Sequence, residues 1–475
     1  MLAVIQQIVH MELNYLSIKN DIHKDDYELE FVDFKISNSQ LSFTQEKYIC
    51  VSYAWEKLGT QHPYNNNIKI SERTLPVLQS AYYSYKKLLI NNEKGIPITE
   101  KIWIDSLCIP SNNDEKELHY FLMGEIYAKS SLVIVVFSNE LASVLYKVRN
   151  SLPLNEHDFE LLNNDNWVSR QWTYQEIVNS GKIYFNTEKS KEKPIFASDF
   201  FDKIAKDIEA FTKAKNLNTL DFQKKYPFLT SLESVILDWR IMEYQERSVY
   251  QIMVNMEYRK SDYSSSKIKA MFGCISNQLD IANFTSNDDY STFLDLCTTK
   301  GDYSFIFNTS FNRNINNEKW KPLSYDFEPI YSWLYCYGEG QKGKLKSNYL
   351  ELESLILKEE EEVQGECLNH LNRILKKNAT DNLLDTIKQN LKELNFKGNY
   401  KPIELDNGFY FNQTELEIHG NYCVGICTGV QWTFGAPAML LKKKEQDDIF
   451  DFVSSGVFFG KLNKNEISIS NVKIN

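Results

Sequence analysis

The chain has no HExxH and no CxxC pair, and its 7 histidines stand apart from one another, so no built-in metal site is expected. Its 8 cysteines are scattered, with only Cys423 and Cys427 close together. That spacing excludes a disulfide framework and suits reduced thiols in the cytoplasm. No apolar run reaches membrane-spanning length. The opening residues, MLAVIQQIVHMELNYL, lack the basic start and long apolar core of a signal peptide. A cytoplasmic location with no membrane partner is expected. Dense basic stretches are missing too: Lys342–Lys346 and Lys442–Lys444 are short and have acids nearby. With 64 Asp and Glu against 53 Lys and Arg, a net charge of −11, the chain repels phosphate backbones, and no nucleic acid partner is expected. There is no internal repeat and no disordered linker.

What is present is a globular composition spread over 475 residues, too many for one simple core. Three regions follow from the pattern. In residues 1–190, KYICVSY, KIWIDSLCIP, SLVIVVFS and KIYFN read as strands. Helices lie between them, marked by the spacing of Leu75, Leu78, Tyr82, Tyr85 and Leu89, and of Leu118, Leu122 and Ile126. Ser71 is a candidate cap for the first helix. SLVIVVFS is the kind of run that is buried on both faces of a parallel sheet. The alternation predicts an α/β, doubly wound domain. Residues 191–398 carry long helical patterns, such as FLTSLESVILDWRIMEYQERSVYQIMVNMEYRK and SNYLELESLILKEEEEVQGECLNHLNRILKK. In the latter, Glu359–Glu362 is read as a solvated helical face. Residues 399–475 alternate as strands do, with turns at Asp406-Asn407-Gly408 and His419-Gly420, and predict a small β-rich module.

Ligands of open parallel sheets bind beyond the carboxyl ends of the strands. Ser52-Tyr53-Ala54-Trp55 follows the first strand, and Asp105-Ser106-Leu107-Cys108 the second. After the third comes NWVSRQWTYQEIVNSGK, which holds Trp167, Arg170, Trp172 and Glu176. Each has an ordinary reading. Thr173-Tyr174-Gln175-Glu176 fits a capping box, in which the glutamate bonds back to the helix start. Trp167 and Trp172 suit a core, Asp105 a turn or cap, and Arg170 either pairs with a neighbouring acid or neutralises a pyrophosphate. Cys108 is a packed thiol, with no histidine nearby in sequence to activate it. Gly338-Glu339-Gly340-Gln341-Lys342-Gly343-Lys344 contains GxGxxG and nearly completes a P-loop. However, Leu345 stands where a magnesium-binding Ser or Thr belongs, so the segment reads as a glycine turn, with a nucleotide switch using Lys344 as the lesser alternative.

The order YICVSYAW, KIWIDSLCIP, MGEIYAKSSLVIVV, WVSRQWTYQEIV resembles the HET (heterokaryon incompatibility) domain of fungal cell-death proteins. That family shows SYxWG, WIDxLCI(N/D)Q, MxxIYxxA and RgWTxQE in this order. Here Glu56 replaces the Gly, and Pro110-Ser111 replaces the residues after the Cys. YRKSDYSSSKIKAMFGCIS and GICTGVQWTFGAPAMLLKKKEQDDIFDFVSSGVFFG resemble later segments of the family. HET domains are similar in turn to TIR domains, whose first strand carries ISY and whose SxWCxxE helix bears the catalytic glutamate of NAD-cleaving members. Val51-Ser52-Tyr53 and Trp172-Thr173-Tyr174-Gln175-Glu176 match these.

The resemblance implies a TIR-like (flavodoxin-like) N-terminal domain. It also implies a nicotinamide-releasing NAD(P) glycohydrolase acting in cell death, immunity or defence, with Glu176 as the catalytic residue. Ser52, Tyr53, Trp55, Asp105, Arg170 and Trp172 are the implied substrate-binding residues. NAD or NADP is then substrate, and no cofactor is required. Self-association on activation and a protein trigger are expected of such relatives. The chemistry admits a single carboxylate. Glycosidases use two because the leaving oxygen must be protonated, whereas a pyridinium departs neutral. One carboxylate beside the oxocarbenium-like centre is then sufficient. The alternative is a non-catalytic HET/TIR-like scaffold acting through protein contacts.

Overall fold

The run Leu132–Phe137 offers water no face, and all six of its residues are buried at the centre of a sheet. A computed structural model describes residues 10–18, 29–37, 47–63, 65–240, 247–261, 264–275, 288–310, 318–322, 328–375, 380–415, 421–444, 448–462 and 469–475. The chain divides into two compact units. One is Met1–Ile241 with Tyr258–Asp289, and the other is Met242–Glu257 with Tyr290–Asn475.

In the first unit, β1 (His10–Ile18) and β2 (Leu29–Ser37) form an antiparallel pair at one edge. The centre is four parallel strands: β3 (Ile49–Ser52), β6 (Lys101–Ile104), β7 (Leu132–Phe137) and β8 (Ile183–Thr187). β9 (Ile195–Phe196) closes the other edge, antiparallel to β8, while β4 (Leu58–His62) and β5 (Asn65–Ser71) form a separate ribbon. The sheet order is β2-β1-β6-β3-β7-β8-β9. From β3 the chain therefore goes first to one side, to β6, and then to the other, to β7. That reversal is a topological switch point, and it opens a crevice beyond the carboxyl end of β3. The helices that meet there are α1 (Thr74–Ile90), α2 (Asp105–Cys108), α3 (Asn113–Lys129), α4 (Asn166–Ser169), α5 (Trp172–Val178) and α6 (Ser264–Ile275).

The second unit contains a closed barrel. β11 (Leu350–Lys358), β14 (Tyr422–Cys427), β15 (Gly435–Lys443), β16 (Ile449–Gly460) and β17 (Ile469–Ile474) pair in succession, and β17 returns to β11. β10 (Gly343–Leu345) extends the sheet beside β11, and β12 (Ile403–Leu405) with β13 (Gly408–Asn412) extends it beside β16. Ile356, Tyr410, Val424, Ile426, Leu440 and Phe458 fill its core. Among the described residues no helix is long and apolar enough to cross a membrane.

Several expectations are corrected. Ser71 does not cap α1: it lies in β5, and its hydroxyl accepts from the amides of Glu56 (3.1 Å) and Arg73 (3.3 Å). The helix expected from Ser347 onward is β11 in its first half. Glu359–Glu362 is exposed as expected, but in a non-helical link before the helix Gly365–Leu375. The units part elsewhere than at 190 and 398, since residues 191–398 contribute to both. The turn at Asp406-Asn407-Gly408 joins β12 to β13, whereas His419-Gly420 lies outside the described residues. Finally, the glycine segment leads into the β10–β11 hairpin and not into a helix, and Lys344 pairs with Glu353 at 3.1 Å. Gly340 has φ +90°, and a Cβ there would run into the Asp302 carboxylate. This is a packed turn, so the P-loop alternative falls.

Candidate active site

Asp165 accepts from the amides of Trp167 (2.8 Å) and Val168 (3.4 Å), and so starts α4. At Arg170 the backbone becomes extended (φ −81°, ψ 145°), before α5 begins at Trp172. The Thr173 hydroxyl donates to the carbonyls of Trp167 (2.9 Å) and Arg170 (2.8 Å), which ties the elbow between the two helices. No side chain caps α5. The capping box read from Thr173 and Glu176 therefore does not form: the threonine is occupied at the elbow, and the glutamate reaches in the other direction.

It reaches to Ser52. The indole of Trp167 is wedged edge-on against Phe137 (5.1 Å) and Phe185 (5.8 Å), and is 1% exposed. Held there, its Nε1–H donates to Ser52 Oγ at 2.7 Å, and the Ser52 hydroxyl in turn donates to Glu176 Oε2. Trp167 is thus both core and support. The chain Trp167–Ser52–Glu176 fixes the carboxylate through side chains whose rotamers are locked by packing.

Above Glu176 lies a cleft of about 370 Å³, a volume suited to a small-molecule ligand. Tyr53, Trp55, Asp105, Arg170, Trp172 and Glu176 all line it, with Ser52 buried beneath. The seven candidate residues therefore come together. Tyr53 shares a hydrogen bond with Thr74 (2.6 Å), and the Trp55 indole donates to Asp105 Oδ2 at 2.8 Å. Arg170 Nη1 donates to the Trp55 carbonyl at 3.2 Å. Trp172 packs against Tyr120 at 5.3 Å between ring centroids. Cys108 stays a packed thiol, pushed up to about 12 by burial. Among the described residues no group of three His, Cys, Asp or Glu is placed to hold a metal ion.

Further residues of the cleft went unread in the sequence: Lys116, Glu117 and Tyr120 from α3, and Lys269 from α6; Met123, which opens the MGEIYAKS segment, lines it too. Behind the elbow, buried Arg259 donates to the carbonyls of Val168 and Arg170 (both 3.2 Å) and to Thr173 Oγ1 (3.0 Å). The only sequence signal for α6 was the resemblance of the segment around it. Nothing in the sequence marked Lys269 singly, whereas Arg259 stands in the segment that resembles a later part of the family.

Burial is the main influence on the acids. It pushes Glu176 up to about 8; the Ser52 hydrogen bond opposes this, Asp105 reinforces it, and Arg170 and Arg259 pull down. Asp105 is raised to about 6, again by burial, against the Ser106 amide, Arg170 and Trp55. Glu176 is thus protonated in the folded protein at pH 7 but ionised in the unfolded chain. Folding retains a proton that unfolding releases, so stability falls as pH rises from about 4.5 to about 8. Glu176→Gln is expected to stabilise the protein at pH 7 by up to about 3 kcal/mol, and to make no difference near pH 4. Chemical denaturation at both pH values checks this. A glutamine variant equally or less stable at pH 7 would contradict a glutamate held against its charge.

Residues 48–176 match the family model described as heterokaryon incompatibility protein (HET). The match ends on Glu176 and takes in all seven candidate residues, but neither Arg259 nor Lys269. No curated protein and no solved structure matches the chain.

Proposed function

We propose, from the premise that residues 48–176 form a HET domain, that the protein is an NAD(P) glycohydrolase acting as a cell-death or defence effector. The observation that carries this reading is one buried carboxylate, Glu176, at the floor of an aromatic-walled cleft at the switch point of the sheet. The two short segments that resemble TIR sequences, 124 residues apart at Ser52 and Glu176, meet there in a single hydrogen bond.

In the proposed reaction, the bond between the nicotinamide nitrogen and ribose C1′ breaks, and its electron pair stays on the ring. The pyridinium charge is thereby lost, and an oxocarbenium-like ribose remains. Glu176, as the anion, stabilises that positive centre. Water then adds to C1′ and gives up one proton, which a carboxylate of raised pKa readily takes. The products are nicotinamide, ADP-ribose and a proton. Because Glu176 is neutral in the free protein at pH 7, the incoming pyridinium helps ionise it. Tyr53, Trp55 and Trp172 supply ring faces for the substrate. Self-association on activation and a protein trigger belong to the same proposal, since an unrestrained NADase poisons its own cell.

The test is to incubate the full-length protein with NAD or NADP and follow free nicotinamide across pH. Glu176 must be ionised to act, so kcat/KM is expected to rise about tenfold per unit from pH 6 and to level off above about 8. Nicotinamide release with a flat profile would remove Glu176 from the chemistry. No release at any pH would leave the non-catalytic scaffold as the reading.

A further inference from the structure

One cation of the cleft comes from beyond the HET match. Lys269 lies on α6, which crosses α3 so closely at Gly273 and Gly124 that neither glycine has room for a Cβ. The lysine is therefore fixed to the wall. Its side chain is 17% exposed and pairs with Glu117 of α3 and, at 3.7 Å, with Asp289. The Glu117 side chain is 35% exposed, twice as open as the lysine it neutralises. Lys116, next to it, lies 5.6 Å over the Tyr120 ring. The cleft is thus divided in charge. Glu176 and Asp105 give its floor two carboxyl groups, with the Arg170 guanidinium also on the lining, whereas the half-buried wall carries Lys116 and Lys269 and a single acid, Glu117.

We propose that Lys269 is an anion-binding residue of the cleft, taking the diphosphate of a dinucleotide, with Glu117 as the counter-ion on the cleft lining that the diphosphate displaces. The proposal rests on the glycohydrolase reading and adds what holds the non-reacting part of the substrate. A molecule with a cationic ring and a dianionic diphosphate matches this division of charge. Glu117 is the partner that can turn to water, because its side chain is the more open of the two. A diphosphate presents more charge and more acceptors to a half-buried ammonium than one carboxylate does.

The two members of the ion pair give the proposal its test. If the pair were only structural, breaking it from either side would act in the same direction. If Glu117 is a stand-in for the ligand, the two sides act oppositely. ADP-ribose, which has the diphosphate but no scissile nicotinamide bond, is titrated by calorimetry into the full-length protein and two variants. Lys269→Gln is expected to weaken binding by at least about tenfold, the scale of one charge-assisted hydrogen bond. Glu117→Gln is expected to tighten it severalfold. Adenosine, which lacks the diphosphate, is expected to respond to neither change. Equal weakening by both variants, or no effect of either, overturns the proposal. If nicotinamide is still released in that case, the glycohydrolase reading stands without it. Should Lys269→Gln fail to fold, the sign of the Glu117→Gln effect alone decides. A wild-type protein that neither binds ADP-ribose nor releases nicotinamide sinks both readings together.

Discussion

Replacing Glu176 with glutamine is expected to lower nicotinamide release from NAD by at least about 100-fold, the scale seen when one preorganised electrostatic group is removed from a transition state. The substitution keeps the shape of the side chain and leaves an oxygen to accept the Ser52 hydroxyl, so the floor of the cleft stays in place. Only the capacity to become an anion is lost. Affinity for ADP-ribose is expected to change by no more than a few-fold, because no positive centre forms on that molecule. The loss should therefore fall on kcat rather than KM. Combined with the gain in stability expected at pH 7, this gives an unusual pair of effects from one substitution: a firmer protein that is nearly inactive. A buried glutamate with only a structural role would show the gain in stability without the loss of nicotinamide release. Single-turnover measurement of nicotinamide release settles the matter, and equal rates for the two proteins would be fatal to the proposed chemistry.

Gly124→Val is expected to destabilise the first unit by at least about 2–3 kcal/mol and to abolish ADP-ribose binding. Two effects compete here. Glycine inside a helix costs about 1 kcal/mol relative to alanine, so added side-chain atoms favour α3 by itself. Against this, a Cβ at Gly124 would meet the Gly273 carbonyl group at 2.8 Å, and the Gly273 Cα closer still. The obstacle is backbone, which has no rotamer to change. The clash wins, α6 is pushed off α3, and Lys269 leaves the wall. The reciprocal site is as tight, since a Cβ at Gly273 would lie 2.6 Å from Gln175 Oε1, on the helix that bears Glu176. Gly181→Ala is the control: nothing lies within 4 Å of the added carbon, and its effect should be small. Thermal unfolding of the two variants compares them. A Gly124→Val protein as stable as Gly181→Ala would mean that the helices do not need this contact.

The sequence and the structure agree best where function depends on strand ends. A short apolar strand announces itself, and the polar residues directly after it must lie at one edge of a parallel sheet. Ser52, Tyr53, Trp55 and Asp105 were found in that way. Glu176 needed the family resemblance as well, because its local grammar pointed to a cap that the Thr173 hydroxyl does not provide. Lys116, Glu117, Tyr120 and Lys269 could not be found, since nothing in a helix records which polar side will face a cavity and which will face water. The misreading of β11 has a specific cause. Ser354 has φ +60°, and the pairing with β17 slips between Leu352 and Leu355. That bulge replaces one two-residue step with a three-residue step, so Leu352 and Leu355 share a buried position at helix-like spacing. With Glu359–Glu362 following, the pattern imitated an amphipathic helix.

The first unit is discontinuous along the chain, for it is left at Ile241 and rejoined at Tyr258. During synthesis this sets an order of events. A nascent chain that has emerged as far as Lys182 already carries Ser52, Asp105 and Glu176, yet has neither the clamp of Arg259 on the elbow nor the Lys269 wall. Both arrive only after the first segment of the other unit has been made. The ribosome thus finishes the cleft late. Fragments released early, by stalling or by a premature stop codon, leave without the Arg259 clamp and the Lys269 wall, so on the proposed glycohydrolase reading they carry only part of the site.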